Sequence, residues 1–394
     1  MRTRLLLSVI GLGALFTVLL TACGEDPTPT PTPVPATPTP TPEAMPHPPV
    51  TLNFQGTART WGEILEGMNK ILEANDSFIE RITILDVNPD NAMRAWADMS
   101  AEERKYSLIY GLENNVDVNE AGLHPIFADS PLPSGLKAVM SNGPLGCSGH
   151  GTWDVDLLSL KDTAGKKVDM DSEPIGPVRE EIMRGLGVLD SAEITFLGAG
   201  PRTVETLKNR NVDVDIIHLT GATRPIPPHI QILTEEETYI VDVTAEGIDA
   251  AVGSNPDVFK SMYPFPLYEG DLADSLGLSY NPVREPVVYC IGGQNPHILA
   301  GEEVDSEIIE ELVRVILENK DDFHQYVTGD VDSLIDGLPL VVRPKSGFHS
   351  GAQAAYESLG VPYGVNAMVE IEQQRAQEHG QEFYMPDYLQ DRLE

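Results

Sequence analysis

From residue 50 onward, short apolar runs alternate with amphipathic stretches. Residues 50–54 read as a short strand that Gly56 and Thr57 break. Apolar Trp61, Ile64, Leu65, Met68, Ile71 and Leu72 then recur at helical spacing, which places them on one face. Thr57 or Thr60 is positioned to cap that helix. A strand near 82–87, a helix opened by Pro89, and strands at 107–110 and 137–140 continue the alternation. A second unit runs through a strand at 166–168, a helix at 177–186, a strand at 194–197, a helix at 203–209 and a strand at 213–219. Later, 285–291 has the composition of a buried strand. Residues 306–319 form an amphipathic helix with Ile308, Ile309, Leu312, Val315 and Ile316 on one face. The pattern predicts an α/β fold of two lobes, with mixed, mostly parallel sheets covered by helices and hinge strands joining the lobes.

The first 49 residues follow a different pattern. Arg2 and Arg4 precede a charge-free apolar stretch over 5–20, too short for a membrane span and closed by Leu20-Thr21-Ala22-Cys23. This is similar to a bacterial lipobox, so 1–22 is expected to be a lipoprotein signal peptide and Cys23 the lipid attachment site. The alternative is an uncleaved anchor with an incidental Cys. Residues 27–49 contain 11 Pro among 23 positions, so a polyproline spacer is expected over 23–49.

Composition narrows the function. The chain of 394 residues carries 61 Asp+Glu against 26 Lys+Arg, a formal charge of −35, which argues against nucleic acid as a partner. Three Cys exclude a disulfide-dense scaffold and a four-Cys metal site. No His pair has i,i+4 spacing, there is no Walker sequence, and Gly198-Ala199-Gly200-Pro201 lacks the third Gly of a dinucleotide fingerprint. No metal or cofactor is therefore expected. The run Gly146-Cys147-Ser148-Gly149-His150-Gly151 brings a nucleophile and a base together in sequence, but it is not a G-x-S-x-G elbow. It reads as a flexible interlobe loop, with an exported hydrolase as the rival reading.

Several stretches in order along 50–361 resemble the TAXI family of solute receptors for TRAP transporters. Gly56-Thr57 and Trp61-Gly62 resemble its first strand–helix junction. Asp162-Thr163-Ala164-Gly165-Lys166-Lys167-Val168 is similar to the "DLKGKRV" that opens its second lobe. His349-Ser350-Gly351-Ala352 with Tyr356-Glu357-Ser358-Leu359-Gly360 is similar to its "HPGAxxYYxExG". The sequence departs from the family at Thr57-Ala58-Arg59, at Ser172 to Pro177, and at Ser350 in place of Pro. The resemblance implies a periplasmic-binding-protein-like receptor of type II, not an enzyme. It implies lobe I over 50–150, lobe II over 151–280, a return to lobe I over 281–361, and a C-terminal helix and tail over 362–394.

In such receptors ligands bind between lobes, where helix N-termini favour anions. The expected ligand-binding residues are Thr57, Arg59, Trp61, Ser172, Glu173, Gly176, Thr220 and Arg224. Arg59 and Arg224 either clamp a carboxylate or order their own turns, and Trp61 either stacks on ligand or opens the core face of its helix. Glu173 favours a ligand that carries an amino group. Cys147 and Cys290 lie where outgoing and returning strands are expected side by side, so they form either a disulfide or two separate buried thiols. The hinge is expected to include 145–152. The function expected is an exported, lipid-anchored monomer that delivers a small carboxylate or amino-acid-like solute to TRAP membrane subunits. A receptor for an ABC importer and a lipoprotein that binds only other proteins are the alternatives.

Overall fold

The computed structural model describes residues 47–393, apart from 144–145, 171–175, 199–200, 220, 222–224, 260, 294–295 and 329–330. The expected signal peptide, the expected lipid site Cys23 and most of the expected spacer lie outside the described residues. No described helix is long and apolar enough to cross a membrane.

Among the described residues, twelve strands form two sheets. The first contains β1 (Val50–Gly56), β2 (Ile79–Asp86), β3 (Ser107–Leu112), β4 (Leu136–Ser141) and β12 (Pro296–Gly301), in the order β2-β1-β3-β12-β4. The second is built from β5 (Cys147–Thr152), β6 (Lys167–Asp169), β7 (Glu193–Thr195), β8 (Val214–Leu219), β9 (Tyr239–Val241), β10 (Pro264–Tyr268) and β11 (Val287–Gly292). Its order is β10-β11-β5-β8-β6-β7, with β9 also on β5. Pairing is parallel within β2-β1-β3 and β8-β6-β7, where helices carry the chain between neighbours. It is antiparallel at β5, β11 and β12, the strands that enter or leave a sheet from the other side. The result is a mixed α/β fold: two sheets covered by helices, exchanged at the strands that join them.

The first sheet's β4 ends at Ser141 and the second sheet's β5 begins at Cys147; on the return, β11 ends at Gly292 and β12 begins at Pro296. The strand β5 therefore belongs to the second sheet, as does β11, and the exchange comes earlier on the way out and later on the way back than 150 and 281. The expected loop over 145–152 is largely this strand, all six residues of which are buried. Its glycines serve packing. A Cβ on Gly151 would sit 2.4 Å from Ile217 Cδ1, so the small residue lets β8's side chain lie against the strand.

The first sheet has one apolar core, in which the Ala58–Ala74 and Ser306–Glu318 helices bury Leu65, Met68, Leu72, Ile309, Leu312 and Ile316. Asp305 caps the second of these helices by accepting from Glu307 N–H at 3.0 Å. The Ser350–Leu359 helix crosses it closely because Gly351 carries no side chain; a Cβ there would lie 2.1 Å from Ser306 O. The second sheet has a core on each face. The Gly364–Glu378 helix, far along the chain, places Val365, Met368 and Val369 in one of them, beside Phe265 and Cys290.

Candidate functional site

The strand ends of the first sheet converge on the Ala58–Ala74 helix. Thr57 is its N-cap in extended backbone, yet its side chain makes no capping hydrogen bond. Asp86, at the end of β2, takes that role by accepting from Ala58 N–H at 2.8 Å. The helix terminus thus carries a resident carboxylate, which opposes a second anion on the same N–H groups. Thr57 Oγ1 is buried without a hydrogen-bond partner, and so is Asn114 Oδ1, two residues beyond the end of β3. Buried polar atoms left unpaired in this way are costly and call for an explanation.

Trp61 is fully buried, its ring 5.1 Å from that of Phe54 and 6.0 Å from that of Tyr110. It is a core residue with no ring face open to a ligand. Arg59 lies in the first turn of the helix, and its side chain lies outside the described residues. Ser172, Glu173, Thr220 and Arg224 also lie outside them, and Gly176 is the first residue of the Gly176–Gly185 helix.

That helix supplies the residue that sequence reasoning missed. Arg179 is 1% exposed; its Nη2 donates to Ser148 Oγ on β5 and its Nη1 to Met170 O at 3.4 Å. A guanidinium fixed at the foot of the second sheet, against the strand arriving from the first, ties the crossing to the segment after β6. The signal was present: Arg179 falls on the same face as Ile182 and Met183, both buried. Two further carboxylates line this sheet's strand ends. Asp169 accepts from Leu197 N–H at 2.6 Å and Thr195 Oγ1 at 3.2 Å. Asp215 accepts from Thr206 Oγ1, from Ile216 N–H at 2.7 Å and from Thr203 Oγ1 at 3.3 Å. Burial pushes the Asp215 carboxyl up to about 6, with Asp169 adding to the rise and the hydrogen bonds opposing it.

Cys147 and Cys290 are joined by a disulfide, with Cα atoms 5.8 Å apart. The bond links the strand that leaves the first sheet to the one that returns. It also removes Cys147 as a nucleophile, and Ser148 is buried with its hydroxyl held by a guanidinium, which is not a base. Among the described residues no group of His, Cys, Asp and Glu is placed to hold a metal ion.

A groove of about 790 Å³ lies where Gly221, beyond β8, and Phe265 of β10 face the Gly364–Glu378 helix and the 333–340 segment. That is within the range of small-molecule sites. Glu372 and Arg375 line it, 2.6 Å apart, with Asp271 3.2 Å from the same guanidinium. Burial pushes the Glu372 carboxyl up to about 7, against the pull of Arg375. Among its lining residues, Gly221 is next in sequence to the expected Thr220.

No protein-family model matches the chain, and no curated protein does. Some solved structures are similar to it at low identity. A periplasmic transporter is 11% identical over 84% of this chain and 98% of its own, with a TM-score of 0.41. MatC from Rhodopseudomonas palustris, solved with bound malate, is 16% identical over 80% and 98%, with a TM-score of 0.42. The periplasmic binding protein BugD is 12% identical over 86% and 99%, also at 0.42. At these values the functional reading rests on the chain's own residues.

Proposed function

We propose that this protein is an extracytoplasmic solute-binding lipoprotein that presents a small carboxylate or amino-acid-like solute to the membrane subunits of a TRAP-type transporter. The observation that carries the reading is the unpaired Thr57 hydroxyl, buried at the end of β1 in a fold whose two sheets are linked by paired crossings. A solute seated there satisfies the hydroxyl, and closure of the lobes shields the contact from water. Asp86 at the same helix terminus favours a solute with an amino group on that side. The expected anchor at Cys23 and the proline-rich spacer support delivery at a membrane surface.

Mass spectrometry of what co-purifies with the protein identifies the solute. With that solute in hand, small-angle scattering should show a smaller radius of gyration on binding; an unchanged radius at saturation removes lobe closure. Arg59→Ala should weaken binding by more than about 1.5 kcal/mol if Arg59 holds a carboxylate. Cys23→Ala should move the protein from the membrane to the soluble fraction. Capture of TRAP membrane subunits from detergent-solubilised membranes tests the partner, and capture of an ATPase complex would replace it with an ABC importer.

A further inference from the structure

The groove of about 790 Å³ against the Gly364–Glu378 helix draws its wall from the cores of both sheets. Leu317, Ile335 and Leu359 belong to the core of the first sheet or pack against it, and Phe265, Leu340 and Ala367 belong to one core of the second. Apolar residues of separate cores thus meet at a space that neither core fills. A groove of this size, with a mostly apolar wall and a few polar groups, has the usual character of a small-molecule site. It is distinct from the end of β1, since Thr57, Asp86 and Asn114 do not line it.

The helix supplies a second observation. Ile371 and Glu372 are neighbours on it and both line the groove, yet the carboxylate is 1% exposed and the isoleucine 36% exposed. An ordinary surface helix places these two residue types the other way round. The exposed Ile371 is apolar surface that a ligand body in the groove would cover.

Charge selects the polar end of that ligand. Arg375 is already engaged: Glu372 Oε2 lies 2.6 Å from its Nη1, and Asp271 Oδ2 lies 3.2 Å from its Nη2. Two carboxylates therefore meet its charge. Of the other charged residues that line the groove, Asp336 and Glu370 are exposed and Lys320 is partly exposed, and none of the three has an ion pair or a side-chain hydrogen bond among the described residues. That leaves two uncommitted carboxylates against one ammonium, in a chain of formal charge −35. A cation gains from the local pair and from the overall field, whereas an anion gains from Lys320 alone.

We propose that this groove binds an amphipathic cation, an aliphatic body that carries an ammonium group. The body covers Ile371 and lies along the apolar wall, and the ammonium is held by Asp336 and Glu370. The ligand touches residues of both cores and so bridges the two sheets. The site stands apart from the solute-binding reading, because it requires neither Thr57 nor a transporter.

The test is calorimetric titration of the intact protein with octylammonium chloride and, separately, with sodium octanoate, at matched ionic strength and below the micellar range of either. Octylammonium should bind saturably, and about tenfold more tightly than octanoate. The double variant Asp336→Asn, Glu370→Gln should weaken octylammonium about fivefold and remove most of that preference. Ile371→Ser should weaken it about threefold through lost apolar contact. All three substituted residues are exposed, so both variants should keep the wild-type circular dichroism and melting temperature. Thr57→Val should leave octylammonium binding unchanged; a loss there would assign the ligand to the solute site and overturn the proposal. Octanoate binding as tightly as octylammonium overturns it too, as does the absence of saturable heat with octylammonium or binding that either groove variant leaves unchanged.

Discussion

Raising the pH should weaken this fold through one carboxyl group. Glu372 is 1% exposed on the Gly364–Glu378 helix, and burial lifts its carboxyl from 4.5 to about 7 although Arg375 lies 2.6 Å away. At about 1.4 kcal/mol per pH unit, that displacement corresponds to roughly 3 kcal/mol. Between the two values the folded protein holds a proton that the unfolded chain has released, so stability falls as pH rises. The penalty is absent below about 4.5 and complete above about 7. Asp215, lifted by burial from 3.8 to about 6, acts in the same direction at lower pH. The interval from pH 6 to pH 8 therefore separates Glu372 best, and about 1 kcal/mol of its penalty falls there. Glu372→Gln keeps the shape and an acceptor for Arg375, which also retains Asp271 at 3.2 Å. Urea unfolding followed by tryptophan fluorescence should show wild-type stability dropping across this interval by about 1 kcal/mol more than the variant's. Parallel curves for the two proteins would refute the reasoning.

Reducing the Cys147–Cys290 bond should destabilise the fold on the order of 4–5 kcal/mol, since it closes a separation of 143 residues; denatured, unreduced protein should show no free thiol from this pair. Gly351→Ala should lower stability by about 1–3 kcal/mol, because a Cβ there meets Ser306 O and the two helices must separate; an unchanged melting temperature would contradict the close approach. Trp61→Ala should cost about 3–5 kcal/mol of stability in the absence of any solute, as a core residue does, and this is read by the same urea titration.

Much of the architecture was legible from periodicity. The helices Ala58–Ala74, Pro89–Asp98 and Ser306–Glu318 and the strands β1, β3, β4, β6 and β8 lie within a few residues of where apolar spacing puts them. The strands that join the lobes were not legible. The sequence of β5, with Gly149 and Gly151, looks like a loop, but its glycines answer to Cys290 and Ile217 on neighbouring strands, contacts no local pattern can register. The strand β10 contains Pro264 and Pro266 and is tolerated because it lies at the sheet edge, where a missing N–H costs no ladder bond. The candidate site followed the same division. Thr57 was singled out from its place after a strand, whereas Arg179 showed only its place on an apolar helix face, and its partner Ser148 comes from a strand 31 residues away.

The position of β12 constrains the order in which the molecule can be assembled as it is made. The second sheet uses one uninterrupted stretch, 147–292, so every strand it needs is present once residue 292 has emerged. The first sheet is different. Its strands β3 and β4 do not touch each other; β12 stands between them and bonds to both. A chain appearing N-terminus first thus exposes β1 to β4 with a vacant central slot for the whole time the second lobe is being built. Two open edges face that slot, each able to accept a foreign strand. Filling it joins residues about 190 apart along the chain at β3, a slow, long-range closure. The sheet whose strands come first is therefore the last to receive its full set of strands, and its safety in the interval depends on how quickly the intervening lobe folds and hands the strand back.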